Sequence, residues 1–151
     1  MLILRRTWLF AITLCLLPTL CCCSSPPDTA MVTQVIDGDT IVIDGDYRVR
    51  YIGIDAPEVH PQPEAYGIEA WEANRLLVED KKVRLEGDVS ETDPYGRLLR
   101  YVYVDSVFVN AELVRKGLAR AKAYPPDTKY QDYLEQMEAE ARDAGRGMWA
   151  K

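Results

Sequence analysis

Three short clusters hold residue types that could do chemistry together: Asp37 with Asp39 in IDGDT, Arg50 with Asp55 and Glu58 in RYIGIDAPE, and Arg97 at the end of TDPYGR. Carboxylate oxygens are hard donors that suit Ca2+ or Mg2+, and a guanidinium presents a planar fork to phosphate oxygens. A further glutamate can orient or deprotonate a water. Hydrolysis of a phosphodiester needs those parts: a positioned water, a base for its proton, and positive charge around the oxygens of a crowded transition state. No histidine or cysteine cluster accompanies them, which turns the chemistry away from zinc. Singly, each cluster has a plainer reading. DGD forms turns, Arg97 can be a solvated charge after a Tyr-Gly turn, and Asp55 and Glu58 can be loop acids. An EF-hand fits poorly, because the acids and glycine that should follow Asp37 and Asp39 at fixed spacing are missing. His60, the single histidine, reads as a loop residue.

The elements that must position these residues are legible from periodicity. Residues 31–36, 40–43 and 47–52 are rich in β-formers and are separated by DGD and by Asp44-Gly45, which predicts a meander of three short strands. If Asp44 and Gly45 are the two loop residues of the second hairpin, Ile43 faces Asp46, Val42 faces Tyr47 and Asp39 faces Arg50, with Cβ atoms about 5 Å apart. Residues 64–79 carry Tyr66, Ala70, Ala73 and Leu77 at helical spacing, with Trp71 and Leu76 beside them. A strand at 82–87, the polar loop VSETDPYGR and a strand at 98–104 follow, and Asp105-Ser106 turns the chain into 107–109. Asn110 is placed to cap a short helix that runs to Lys116 and ends at Gly117. Tyr130, Tyr133, Leu134, Met137, Ala141 and Ala144 form one stripe on a helix from about Thr128 to Gly145. Short strands with helices inserted and appended predict a small α+β domain with a closed or nearly closed barrel.

Length and composition allow one such domain: 151 residues, 48% hydrophobic and 28% charged. The first 23 residues read differently. Arg5 and Arg6 precede an apolar run over 8–20, broken by Pro18 and too short for a comfortable membrane span, in the layout of a secretory signal. All four cysteines, Cys15, Cys21, Cys22 and Cys23, lie in that segment, so the domain has no disulfide framework and no thiolate metal site. The run LCCCSS resembles a lipobox. Cys23, with Leu20 three residues before it, is the best acceptor for lipid, Cys21 and Cys22 are the alternatives, and a plain secretory signal is the other reading. Either places the domain outside the cytoplasm, with SSPPDTA (24–30) as a flexible tether. Removing residues 1–23 takes two of the 18 basic residues and no acid, leaving 16 against 24 and a net charge of −8. A broad nucleic-acid coat is thereby disfavoured, but not an enzyme that meets phosphate at one local site.

VIDGDT (35–40), RYIGIDAPE (50–58), YGIEA (66–70), TDPYGR (92–97) and VNAELVRKGLA (109–119) resemble, in order, the successive motifs of the thermonuclease, or staphylococcal nuclease-like, family. The resemblance implies a five-stranded OB-fold β-barrel with three helices over residues 31–151. It implies a Ca2+-dependent endonuclease that cuts DNA and RNA and leaves 3′-phosphates. Asp39 and Asp55 would be the Ca2+ ligands, joined by the Ala56 backbone carbonyl, with Asp37 acting through water. Glu58 would be the general base or water-orienting group, Arg50 and Arg97 would hold the scissile phosphate, and Tyr95 would help to hold a terminal phosphate. Two positions depart from the pattern. Ala56 stands where threonine is common, and the tyrosine pair that flanks the base is not reproduced, leaving Tyr124 as the close candidate for substrate contact.

A non-catalytic OB module that binds nucleic acid or a protein is the competing reading, since the fold serves both uses. The joint presence of Arg50, Glu58, Arg97, Asp39 and Asp55 favours the enzyme. A monomer is expected, with membrane contact only through the lipid anchor.

Overall fold

The computed structural model describes residues 27–150. The signal segment, Cys23 and the first part of the tether lie outside the described residues.

β1 (Thr29–Val35), β2 (Thr40–Ile43) and β3 (Tyr47–Tyr51) form the expected meander. β1 begins two residues inside the segment read as tether, and Ala30 is already buried. An irregularity between Val32 and Gln34 lets β1 pair with β2 through its second half and with β5 (Lys82–Glu86) through its first. β5 pairs with β6 (Leu98–Val104), and β6 runs parallel to β3, which closes a five-stranded barrel. Inward positions alternate as a half-buried strand requires: Ile41 and Ile43 on β2, Val49 and Tyr51 on β3, Val83 and Leu85 on β5. Each aliphatic side chain so buried contributes about 1.5–3 kcal/mol.

The three helices are α1 (Gly67–Val78), α2 (Val109–Arg115) and α3 (Gln131–Asp143). α1 starts later than the periodicity suggests because Tyr66, at φ 68, is its left-handed N-cap. On α3 the buried stripe is Leu134, Met137 and Ala141, while Ala144 and Tyr133 face out. Two-residue strands β4 (Ile54–Asp55) and β8 (Arg120–Ala121) pair outside the barrel, and β7 (Val107–Phe108) extends β6.

Two local expectations are corrected. The hairpin between β2 and β3 has a three-residue loop, Asp44-Gly45-Asp46, with Gly45 at φ 81 and Asp46 at φ 61. The register therefore shifts by one: Ile43 faces Tyr47, Val42 faces Arg48, and Thr40, not Asp39, faces Arg50. Asn110 does not cap α2, whose N-cap is Phe108. It is fully buried inside the helix, where its amide accepts from Val102 N at 3.0 Å and donates to Ile52 O at 2.9 Å, tying α2 to the barrel.

Glu86, at the end of β5, accepts from Lys129 Nζ (2.6 Å), Tyr130 OH (2.8 Å) and Arg84 (3.0 Å). Partial burial raises its pKa, but these donors outweigh that and hold it down at about 2. Stability from this group is present above the ordinary glutamate range and is lost as pH falls from about 4.5 through about 2. Urea unfolding between pH 5 and 2 should therefore show an acid limb that Glu86→Gln flattens, and an equally steep limb in the variant would refute the assignment.

Candidate active site

The DGD turn is shaped by its own first acid. Asp37 Oδ1 accepts from Asp39 N at 2.9 Å, an Asx-type turn, while Ile36 N bonds to Thr40 O at 2.9 Å. Gly38 allows the turn to lie against its neighbours, since a Cβ there would sit 2.6 Å from the Ala56 methyl and 2.8 Å from that of Ala70. α1 holds the turn from the other side: Asn74, fully buried, donates to Asp37 O at 3.0 Å and accepts from Tyr51 OH at 2.9 Å.

Although the register is shifted, Asp39 and Arg50 do meet. Their side chains form a buried ion pair, and Arg50 also holds Asp55 Oδ1 at 3.0 Å. The same Asp39 oxygen, Oδ2, also accepts from Ala56 N at 2.7 Å, binding the loop after β4 to the DGD turn. Burial raises the Asp39 carboxyl above its usual range, and the charge of Asp37 adds to this against the pull of Arg50 and the Ala56 N–H. For Arg50, burial opposes the charge, but Asp39 and Asp55 outweigh it and strengthen its hold on its proton.

Arg97 approaches from β6. Asp93 organises its turn, accepting from Tyr95 N (2.9 Å), Arg97 N (3.0 Å) and Arg97 Nε (2.6 Å), with Pro94 at the second turn position and Gly96 at φ 79. Arg50, Arg97, Tyr95 and Tyr124 line one cleft of about 360 Å3, floored by Ile52 and Leu99 and rimmed by Pro125 and Pro126. Tyr95 is 85% exposed, standing free at the mouth with the Arg97 guanidinium 5.5 Å from its ring centre.

Glu58 stands exposed on the loop after β4 and lines neither this cleft nor the one beyond Asp55. Its backbone is clamped by Glu64, which takes the Glu58 N–H at 3.1 Å and gives its own N–H to Glu58 O at 2.9 Å. Gly67 permits that closeness, as a Cβ there would lie 2.3 Å from Glu58 O. Partial burial and then the charge of Asp37 raise the Glu58 carboxyl, with Glu64 and Asp55 adding and Arg50 opposing, a direction that suits a base working near neutrality. His60 lies exposed in the same loop.

One residue at the site escaped the sequence reading. Lys122, just after β8, places Nζ 2.9 Å from Asp55 Oδ2, and Tyr124 OH donates to Asp55 Oδ1 at 3.5 Å. Both reach Asp55 because β8 pairs with β4, a contact between distant two-residue strands that leaves no periodic trace.

Among the described residues, no group of three or more His, Cys, Asp or Glu side chains is arranged to enclose a metal ion. The implied Ca2+ set is smaller, two carboxylates and one carbonyl with water completing the shell. Hard oxygen donors, with three acids (Asp37, Asp39 and Asp55) against the two cations Arg50 and Lys122, fit a divalent cation there.

Comparison with known proteins agrees with this geometry. The family described as Staphylococcal nuclease homologue matches residues 48–151. The chain is 42% identical over 128 residues to the Thermonuclease of Staphylococcus hyicus, covering 81% of this chain and 76% of that protein. It is 42% identical over 130 residues to the Thermonuclease of Staphylococcus intermedius, covering 82% and 77% respectively. With Endonuclease YncB of Bacillus subtilis (strain 168) it shares 41% identity over 128 residues, 78% of this chain and 60% of that protein. The closed five-stranded barrel, the three helices and these matches agree, and the chain belongs to the staphylococcal nuclease family.

Proposed function

We propose that this nuclease is a Ca2+-dependent endonuclease that hydrolyses phosphodiesters of DNA and RNA to 3′-phosphate ends. The observation that carries the proposal is the position of Arg50, which bridges Asp39 and Asp55 and lines the same cleft as Arg97. Asp39, Asp55 and the Ala56 carbonyl would hold the cation, with Asp37 reaching it through water. When bound, the ion supplies positive charge to a phosphate oxygen and neutralises the acids around it. Arg50 and Arg97 present their forks to the scissile phosphate and stabilise charge that builds on its oxygens. Glu58, its main chain fixed by Glu64, orients a water and takes its proton. Tyr95 and Tyr124 contact the substrate beside the arginines. The chain acts as a monomer outside the cytoplasm, lipid-anchored through Cys23 or secreted, a reading supported by the order of basic, apolar and cysteine residues in the N-terminal segment.

The deciding experiment is digestion of single- and double-stranded DNA and RNA with and without Ca2+, followed by end-group analysis. Cleavage that survives chelation would exclude the metal assignment, and 5′-phosphate products would exclude the stated bond. Glu58→Gln should leave Ca2+ binding, read by calorimetry, near its original strength while kcat falls by about 10²-fold or more. A kcat within a few-fold of the original would remove Glu58 from the proton transfer.

Lys122 competes with the cation for Asp55. Its ion pair is half-exposed and worth at most about 1 kcal/mol, so Lys122→Met should tighten Ca2+ binding by about two- to fivefold. Calorimetry showing weaker binding in this variant would mean that Lys122 supports the site.

A further inference from the structure

A second cleft, of about 380 Å3, is lined by Asp55 and Ala56, the assigned cation ligands, and shares no lining residue with the first. Its walls are Pro57, Ala65, Tyr66 and Met148, apolar surfaces of a kind that a sugar or base can lie against, and its one cation is Arg120. Arg120 is directly opposite Asp55 in the β4–β8 pair, so its placement relative to the proposed cation site is set by backbone register. Its guanidinium carbon rests 5.1 Å from the Trp149 ring centre, and Arg142 covers the same ring at 4.0 Å. Met148 is fixed by its N–H to Gly117 O at 2.9 Å.

Arg120 shares with Arg48 and Arg146 the lack of a carboxylate partner among the described residues, but of these three it alone lines either cleft. Arg75, Arg84, Arg100 and Arg115 each hold a carboxylate, whereas Arg120, exposed, forms no salt bridge among the described residues. Glu64 lines the far wall, but its carboxylate accepts from Glu58 N. An unpaired guanidinium in a groove whose wall includes Asp55 and Ala56 is complementary to the next phosphate of a polymer.

We propose that the second cleft is a polynucleotide subsite: it holds the strand on the side of the scissile phosphate opposite the Arg97 cleft, with Arg120 binding a backbone phosphate. The inference rests on the nuclease reading above and deepens it by assigning where a long substrate leaves the site. It also explains how an endonuclease could hold a chain with no free end nearby, since the strand then crosses the cation site from one cleft to the other.

The test compares kcat/KM for a dinucleotide diester with that for oligonucleotides extended on the 5′ side only, the 3′ side only, or both, using full-domain protein in Ca2+ over a salt series. Arg120→Gln should lower the advantage of one single-sided extension, and of the double extension, by about tenfold. It should also reduce the salt slope for that arm by about 0.7, the value for one phosphate contact on a single strand. Lys82→Gln, an exposed cation on β5 outside both clefts, is the matched control and should change neither. Arg120→Lys should recover part of the salt slope. If Arg120→Gln retains the full length advantage, or loses it equally on both sides, the subsite assignment is overturned. If the unaltered protein cleaves none of the substrates, the nuclease reading itself fails, and this inference with it.

Discussion

Arg50→Lys should fold and yet hydrolyse DNA at least about 10²-fold more slowly, the loss typical of removing one fixed transition-state donor. Lysine keeps a positive charge facing Asp39 and Asp55 but cannot offer two parallel N–H groups at once, so charge and fork are tested apart. Arg50→Ala is the blunter change. It leaves Asp39, 5% exposed, without its cation, and breaking such a buried pair costs about 3–5 kcal/mol. Arg50→Ala should therefore lose both turnover and stability, whereas Arg50→Lys should lose mainly turnover. Single-turnover rates alongside urea unfolding would separate the two, and a Lys variant with unimpaired hydrolysis would exclude the fork from the mechanism. Arg97→Ala removes a half-buried partner of Asp93, which keeps the backbone N–H groups of residues 95 and 97 as donors, so it should slow turnover by a similar factor with a smaller change in the unfolding midpoint than Arg50→Ala.

The second large effect is on stability. Asn110→Ala should lower the unfolding free energy by about 3 kcal/mol, because it abandons two buried backbone groups, Val102 N–H and Ile52 C=O, each costing about 1–3 kcal/mol when unsatisfied. Alanine is a better helix former than asparagine, so a purely local view of α2 would expect the opposite sign. Urea midpoints at constant m-value would decide, and a variant as stable as the original would mean that water replaces the amide.

Much of the fold was legible because strands and helices leave periodic traces. The β-formers of 47–52 and the strand expected at 98–104 correctly marked barrel strands. The hairpin register was not legible, because Asp44, Gly45 and Asp46 all tolerate turn geometry and sequence alone does not say which of them form the loop. The meeting of Asp39 with Arg50 survived that error because Asp39 lies just before β2, where Asp39 O accepts from Tyr51 N at 2.9 Å. Asn110 was misread because asparagine is a good N-cap locally, and only the tertiary position of Val102 and Ile52 reveals its other use. The acids and arginines were readable as types. Lys122 and Arg120 were not, since their approach to Asp55 depends on the β4–β8 pairing.

The two arginines proposed to hold the phosphate come from opposite sides of the parallel β3–β6 seam, Arg50 within β3 and Arg97 immediately before β6. That seam joins segments far apart in the chain, and parallel pairing is slightly weaker per residue than antiparallel. Any fluctuation that parts it separates Arg50 from Arg97 while the meander and its hydrophobic side chains can stay together. Catalytic competence should then vanish at lower denaturant than the bulk spectroscopic transition, and residual cleavage becomes a gauge of how firmly the barrel is shut.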